Sequence, residues 1–433
     1  MNHRRHIVAT ISCLSLAAAT LAADLRPAQA QPAPPADPDD GGEAAAMPAE
    51  EPAVTTAAPA PPPPRSDVSD GEPAPAAPEA KKFGGFVLAS EDEAYQLRLT
   101  GRVQAYFGGT STPGASRVNS GAFEIHRARL GAEGQLGSDK LTFKTQTEFG
   151  RGLVHLKDFM IDLKLAPAVW LRAGQYKRPF SRQQITSSGK LELVERGITD
   201  RAFGAGRDIG IALRNDYEKS VPIEWTVGLF NGGTDRPAVS GDVTVDPMTG
   251  EGEVSGTLSN AVATWKPVLV GRVGINHGKL KGYSEADLEG GATRVGIASS
   301  IALEFDGDRN SAASHKAELD FVVKSQGFAT TGAVYFASTG TGFASDQAAS
   351  LFGAHLQANY VTGGKHGVGL RYAVVAGIGD NDADPVHEIL GGYSLYSSRG
   401  HDGKIQVDVG ARKNGEAKLS DDLRLQVQGQ IAF

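Results

Sequence analysis

The chain is poor in cysteine, in long apolar runs and in recognisable catalytic motifs, and each shortage removes a class of answers. Its single cysteine, Cys13, leaves the rest of the 433 residues with no disulfide framework, thiolate metal site or thiol nucleophile. Beyond the N-terminus no stretch reaches 18 consecutive apolar residues, so helical membrane spans are excluded. G-x-S-x-G, H-E-x-x-H and P-loop patterns are all missing, and the ten histidines are scattered. These absences argue against an enzyme, and nothing calls for a cofactor or a metal.

Charge of one sign is confined to one place. The formal net charge is −7. Residues 31–80 hold ten acids and only Arg65, while residues 81–433 balance to zero. No basic footprint for nucleic acid exists. Residues 1–30 read as a secretory signal peptide: Arg4 and Arg5 precede the apolar run Ile7–Ala23, and Ala28-Gln29-Ala30 forms an A-x-A cleavage site. Residues 31–82, rich in Pro, Ala and acids with Pro61–Pro64 at the centre, lack the large apolar side chains needed to offset ordering entropy. They read as an extended, disordered periplasmic tail, a spacer or a tether to the cell wall.

What is present, from Tyr95 onward, is a period of two. Leu97, Leu99, Val103, Ala105 and Phe107 alternate with Arg98, Thr100, Arg102, Gln104 and Tyr106. Leu319, Phe321 and Val323 alternate with Glu318, Asp320 and Lys324. The pattern recurs in sixteen runs: 95–107, 123–136, 140–149, 154–165, 168–177, 206–217, 221–231, 267–279, 293–305, 314–325, 328–338, 350–361, 365–376, 386–397, 402–412 and 421–433. Most span about ten to twelve residues, the length of a tilted strand crossing a bilayer, whereas strands of soluble proteins average about five to six. Every apolar face opposes a charged one, so one side of the sheet must meet lipid and the other water. The expected fold is all-β: a sixteen-stranded antiparallel transmembrane β-barrel over 83–433, placed in the bacterial outer membrane.

Long and short connections alternate along it. Among the long, extracellular ones, 178–205 is the third and can fold into the bore, while 232–266 is the longest. Two connections break the alternation: 150–153 is short for a loop, and 280–292 is long for a periplasmic turn. Phe433, closing the last run, is expected to be the terminal aromatic that the outer-membrane insertion machinery reads.

Four elements carry a family likeness: Arg127-Ala-Arg-Leu-Gly-Ala-Glu-Gly134, Gly174-Gln-Tyr-Lys-Arg-Pro-Phe-Ser181, Val194-Glu-Arg196 and Gly206-Arg-Asp-Ile-Gly210. Together they resemble the phosphate-selective porin O/P family, strongly over 123–230 and less after it. The helical coiled-coil segment of some relatives is replaced here by the Pro-rich tail. The resemblance implies a homotrimer of sixteen-stranded barrels whose inward loops, lined by Arg and Lys, favour anions. Guanidinium groups match phosphate by paired hydrogen bonds, and rings of cations set anion selectivity. The candidate pore residues are Arg127, Arg129 and Arg172 on strands, and Lys177, Arg178 and Arg182 where the third loop opens. The expected partners are small anions such as phosphate and the lipid of the outer membrane. A general, weakly selective porin and a structural barrel tethered by its tail are the alternatives.

Overall fold

A computed structural model describes residues 86–112, 118–152, 154–234, 238–245, 252–259, 262, 265–305, 314–339, 349–378, 384–397, 400–415 and 422–433. The signal peptide and tail expected over 1–82 lie outside the described residues.

Among the described residues nineteen strands follow in chain order. They are β1 (Phe86–Ala89), β2 (Gln96–Thr112), β3 (Val118–Gln135), β4 (Leu141–Glu148), β5 (His155–Ala166), β6 (Val169–Lys177) and β7 (Arg207–Arg214). After β8 (Ile223–Phe230), β9 (Ala238–Val245) and β10 (Gly252–Ser259) come β11 (Val268–His277), β12 (Arg294–Glu304), β13 (Ser314–Ser325), β14 (Phe328–Thr339) and β15 (Ala349–Thr362). The last four are β16 (His366–Ile378), β17 (Val386–Ser397), β18 (Gly400–Asn414) and β19 (Leu423–Ala432). From β2 to β8 and from β11 to β19 each strand pairs antiparallel with the next. β8 pairs with β11, and β19 pairs with β2. The sheet is therefore a closed barrel of sixteen strands.

All sixteen expected runs are barrel strands, displaced at their ends by a few residues. Three features were not expected. Within the 232–266 connection, β9 and β10 pair with each other as a separate hairpin. β1 pairs with Gln96–Leu99 of β2, on the edge where β19 stops at Arg102. Phe433 exchanges backbone hydrogen bonds with Gly101 in the gap between them, and its ring meets Phe86 edge-on at 6.4 Å. β1 thus prolongs the row of β19. Third, the 280–292 turn folds into the bore, as described below.

The alternation decides inside and outside. Leu99, Val103, Leu130, Ile161, Leu319, Val334, Leu356 and Ile405 are among the many large apolar side chains left exposed on the outer wall. Their neighbours in the chain, Gln104, Asp162, Asp320, Tyr335, Gln357 and Gln406, are buried inside. That is the polarity of a barrel with lipid outside and water within. One bulge changes the parity usefully: Gln104 faces Arg127 while Ala105 faces Ile125, so His126 is an extra residue. His126 and Arg127 then both reach Glu195 in the lumen.

A charge on the lipid face near mid-bilayer costs about 2–4 kcal/mol in such barrels. Leu319→Arg, at the middle of β13, should lose that much folding stability in lipid vesicles. Gln426→Arg, on the lumenal side, should lose less than half of it. Equal losses in urea titrations would contradict the assignment of faces.

Candidate functional site

The bore is filled from both ends. The third long loop, L3 (residues 178–205), leaves β6 through Pro179 and Phe180 and turns at Ser181, whose φ of 67° lies in the left-handed region. It carries two short helices, α1 (Arg182–Ile185) and α2 (Ile198–Phe203). Its apolar side chains face the wall and are buried: Phe180, Leu191, Leu193, Val194, Ile198 and Phe203. Phe203 stacks on Tyr335 with ring centroids 5.2 Å apart. The polar backbone of the loop is bound by the strands. Asp408 accepts from Val194 N at 2.7 Å, Arg371 donates to Glu195 O at 2.8 Å, and Lys404 donates to Leu191 O at 2.6 Å. Gln430 donates to Gly189 O at 3.0 Å. L3 is therefore fixed along β14–β19 and β2 rather than hanging free.

From the opposite end the β11–β12 connection, residues 278–293, rises to meet it. Glu285 N donates to Lys190 O at 3.2 Å, and Glu192 N donates to the Glu285 carboxylate at 2.9 Å. Burial pushes the Glu192 carboxyl up to about 7; Tyr396 and Lys404 oppose that, and Glu285 adds to it.

Most lumenal arginines are ion-paired. Arg129 holds Glu148 at 2.6 Å, Arg127 holds Glu195 at 2.8 Å and Arg207 holds Asp158 at 2.8 Å. Arg172 binds Asp162 through two nitrogens, both at 2.8 Å, and also Glu218 at 2.9 Å. Arg178 bonds Asp208 at 2.6 Å and Gly233 O at 2.8 Å. Arg182 reaches across the bore to Asp320 at 2.8 Å, which Arg272 also grips at 2.6 Å. Lys177 instead donates to three carbonyls, Gln184 O, Ile185 O and Thr186 O, at the end of α1.

The six residues selected from the sequence therefore separate in space. Arg127, Arg129 and Lys177 share one strip of the lumen with Arg102, Arg196 and Arg207: the charges of Arg127, Arg129 and Arg196 act on Arg102, and those of Arg129, Arg196 and Arg207 on Lys177. Arg172 lies towards the short-turn end, lining a cavity of about 560 Å3 with Lys144, Lys190, Glu133 and Asp216. Arg178 and Arg182 tie the loop to the wall. A second cavity of about 260 Å3 lies at the long-loop end, where Arg196, Arg201, Arg371, Arg412 and Arg424 face Glu195, Asp200 and Glu388.

Within the strip six cations meet four carboxylates: Glu148, Asp158 and Glu195 are each engaged closely by one arginine, and Asp200 lies farther off, beside Arg196. Among the described residues Arg102 and Lys177 have no carboxylate partner: Arg102 donates to the hydroxyls of Ser187 and Ser188, both at 3.0 Å, and its Nε has no partner among them. Arg196 binds the carbonyls of Gln183 and Thr186, with Asp200 only at 3.9 Å. Arg102 and Arg196 stood in the sequence as lumenal and loop cations, but only the folded loop brings them beside Arg129. Tyr283 and Glu285 had a signal, the excess length of their turn.

Two outcomes follow. Asp320→Asn removes the close carboxylate of Arg182 and one of the three that Arg272 meets, and should cost about 3–5 kcal/mol, with new tryptic cleavage at Arg182 as L3 loosens; an unchanged unfolding midpoint and resistant loop would contradict the anchoring role. The folded chain also binds a proton at Glu192 more tightly than the unfolded chain does, so stability should fall as pH rises from the ordinary carboxylate range to about 7. Glu192→Gln should flatten that slope in urea titrations across the same interval.

A family model described as phosphate-selective porin O and P matches residues 97–366. No curated protein sequence matches the chain. Solved structures that resemble it include OmpT, an outer membrane protein of Vibrio cholerae, at 8% identity and a TM-score of 0.53, covering 80% of this chain and 100% of that one. The outer membrane channel DcaP of Acinetobacter baumannii matches at 11% identity and 0.53, covering 81% and 100%. Salmonella typhi OmpF, in complex with daunomycin, matches at 13% identity and 0.50, covering 80% and 100%. At such identities the likeness is one of fold.

Proposed function

Because the chain belongs to the phosphate-selective porin O and P family and its barrel is that of a bacterial outer-membrane porin, we propose that it lets small anions diffuse passively through its bore, phosphate-like ions favoured, and that it acts as a channel rather than an enzyme. The observation that carries this reading is the strip of Arg102, Arg127, Arg129, Lys177, Arg196 and Arg207. Two of its cations, Arg102 and Lys177, are held by neutral hydroxyls and carbonyls, so their charge is not cancelled by a close carboxylate. A positive field in a narrow, partly dehydrated passage lowers the energy of an anion there and raises that of a cation. The guanidinium forks suit a tetrahedral oxyanion, while the four carboxylates among them limit how tightly it is held. Arg172, Arg178 and Arg182 enter this reading as supports, the first beside the wider cavity and the other two as anchors of L3.

The cavity at the short-turn end is close to balanced, with Lys144, Arg172, Lys190, Arg214 and Lys219 against Glu133, Asp162, Asp216 and Glu218. That balance is what a general porin of weak selectivity would carry, and it is the second reading. We place signal cleavage after Ala30 and read 31–82 as a periplasmic tail. A homotrimer belongs to the same proposal. Thr145 and Thr147 face outward on β4, where other strands carry Leu or Ile, and this is the wall the proposal sets against a second copy.

Reversal potentials across planar bilayers under a salt gradient test the reading. The wild-type channel should be anion-biased. Arg129→Gln with Arg207→Gln removes two of the six cations and should bring the anion-to-cation permeability ratio to near one or below. The wild-type bias should shrink between about 0.1 M and 1 M salt as the Debye length falls from about 10 Å to about 3 Å. An unbiased wild-type pore would favour the general porin, and a barrel without conductance would sink both.

A further inference from the structure

We propose that the β11–β12 connection, residues 278–293, is a built-in inner partition that sets the width of the pore, entering from the end opposite L3. The proposal rests on the porin reading but not on its anion preference.

A connection of this kind needs only a few residues; this one spends sixteen and buries much of its middle, with Leu280, Tyr283, Glu285, Ala286 and Asp287 all inside. Its two faces differ. One face looks into solvent space: Gly282 and Tyr283 line the cavity of about 560 Å3. The other is sealed against the wall. Lys324 on β13 donates to Ser284 Oγ and to Ala286 O, both at 2.7 Å, and Gln357 on β15 donates to the Glu285 carboxylate at 2.9 Å. The space behind, lined by Ser284, Glu285 and Thr331 among others, holds only about 10 Å3, no more than a water. A segment with solvent on one side and packed wall on the other divides the bore.

Its rigidity has a local cause. The Tyr283 ring lies under two guanidiniums, Arg182 of L3 at 4.6 Å and Arg272 of β11 at 5.6 Å. Its hydroxyl donates to Glu224 at 2.8 Å and accepts from Arg272 Nε at 3.1 Å. Glu285 then joins the segment to L3 at Lys190 and Glu192. The half of the bore along β12–β15 is thereby closed from below, and the lower cavity is confined to the wall of β3–β7. Solutes passing that level are selected by size where the segment borders the cavity at Gly282.

The test uses the full-length channel in planar bilayers. Replacing Lys281–Glu289 by a four-residue Gly/Asn turn should raise single-channel conductance on the order of twofold and admit larger neutral sugars. Because that variant also removes a support of L3, Gly282→Cys, partly exposed on the same cavity wall, is the second arm. A bulky thiol reagent applied from the turn side should modify this residue and cut the current by more than half. Current unchanged after complete modification, or a cysteine the reagent never reaches, would overturn the partition. The anion bias read from the same channels reports separately on the strip, so failure of one reading does not imitate failure of the other.

Discussion

The constraint on which this structure depends is that a sheet lying in hydrocarbon can have no unpaired edge. Each exposed backbone N–H or C=O there lacks water and costs several kcal/mol. The pairing of β19 with β2 removes both edges at once, and β1 continues the same row past Phe433. Closure then dictates the chemistry. With sixteen strands the wall encloses a space too wide for strand side chains alone to fill, which leaves room for chain segments to enter it. The alternation of the strands makes that space polar.

Filling a polar space with polypeptide creates a second problem, because buried charges are costly unless paired. The lumen meets it with short-range ion pairs between strands adjacent in the sheet, such as Arg172 with Asp162 and Arg371 with Glu388. A smaller set runs between the wall and the segments inside it. Asp320 joins β13 to L3 through Arg182 and to β11 through Arg272, so one carboxylate fixes three elements. Cancellation stops at one place. Along β2, β3 and β6 the supply of carboxylates ends before the supply of cations, and hydroxyls and carbonyls make up the difference. In the proposed reading such a surplus is useful to a channel, because the missing counter-charge is one a passing solute can provide.

Much of this was legible in the sequence. Strand positions came from a two-residue period reinforced by a face of lipid-compatible side chains, a signal that survives small shifts at strand ends. Arg127 and Arg129 declared themselves by parity, and Lys177 by its place at the mouth of L3. Other features were not legible, for a definite reason. That Arg182 meets Asp320, 138 positions away, depends on how far a loop travels across the barrel, and no local pattern encodes that distance. The inward placement of His126 beside Arg127 depends on a bulge that strict alternation hides. Residues 278–293 betrayed themselves only as a turn that was too long, because their burial is conferred by a loop about ninety positions earlier. The hairpin β9–β10 stands outside the barrel sheet and so outside the alternation that identified everything else.

The seam between β2 and β19 also governs how the molecule can come into being. Gln104 and Gln430 touch across it although 326 positions separate them. Bringing such distant strands together carries a large loop-closure entropy and makes the topology slow to nucleate. Until they meet, the growing sheet presents two bare edges, each a template for another chain. Assembly must therefore run as a race between closure and aggregation, and β2, which β3 and β19 both need, is the strand whose early delay would lose it.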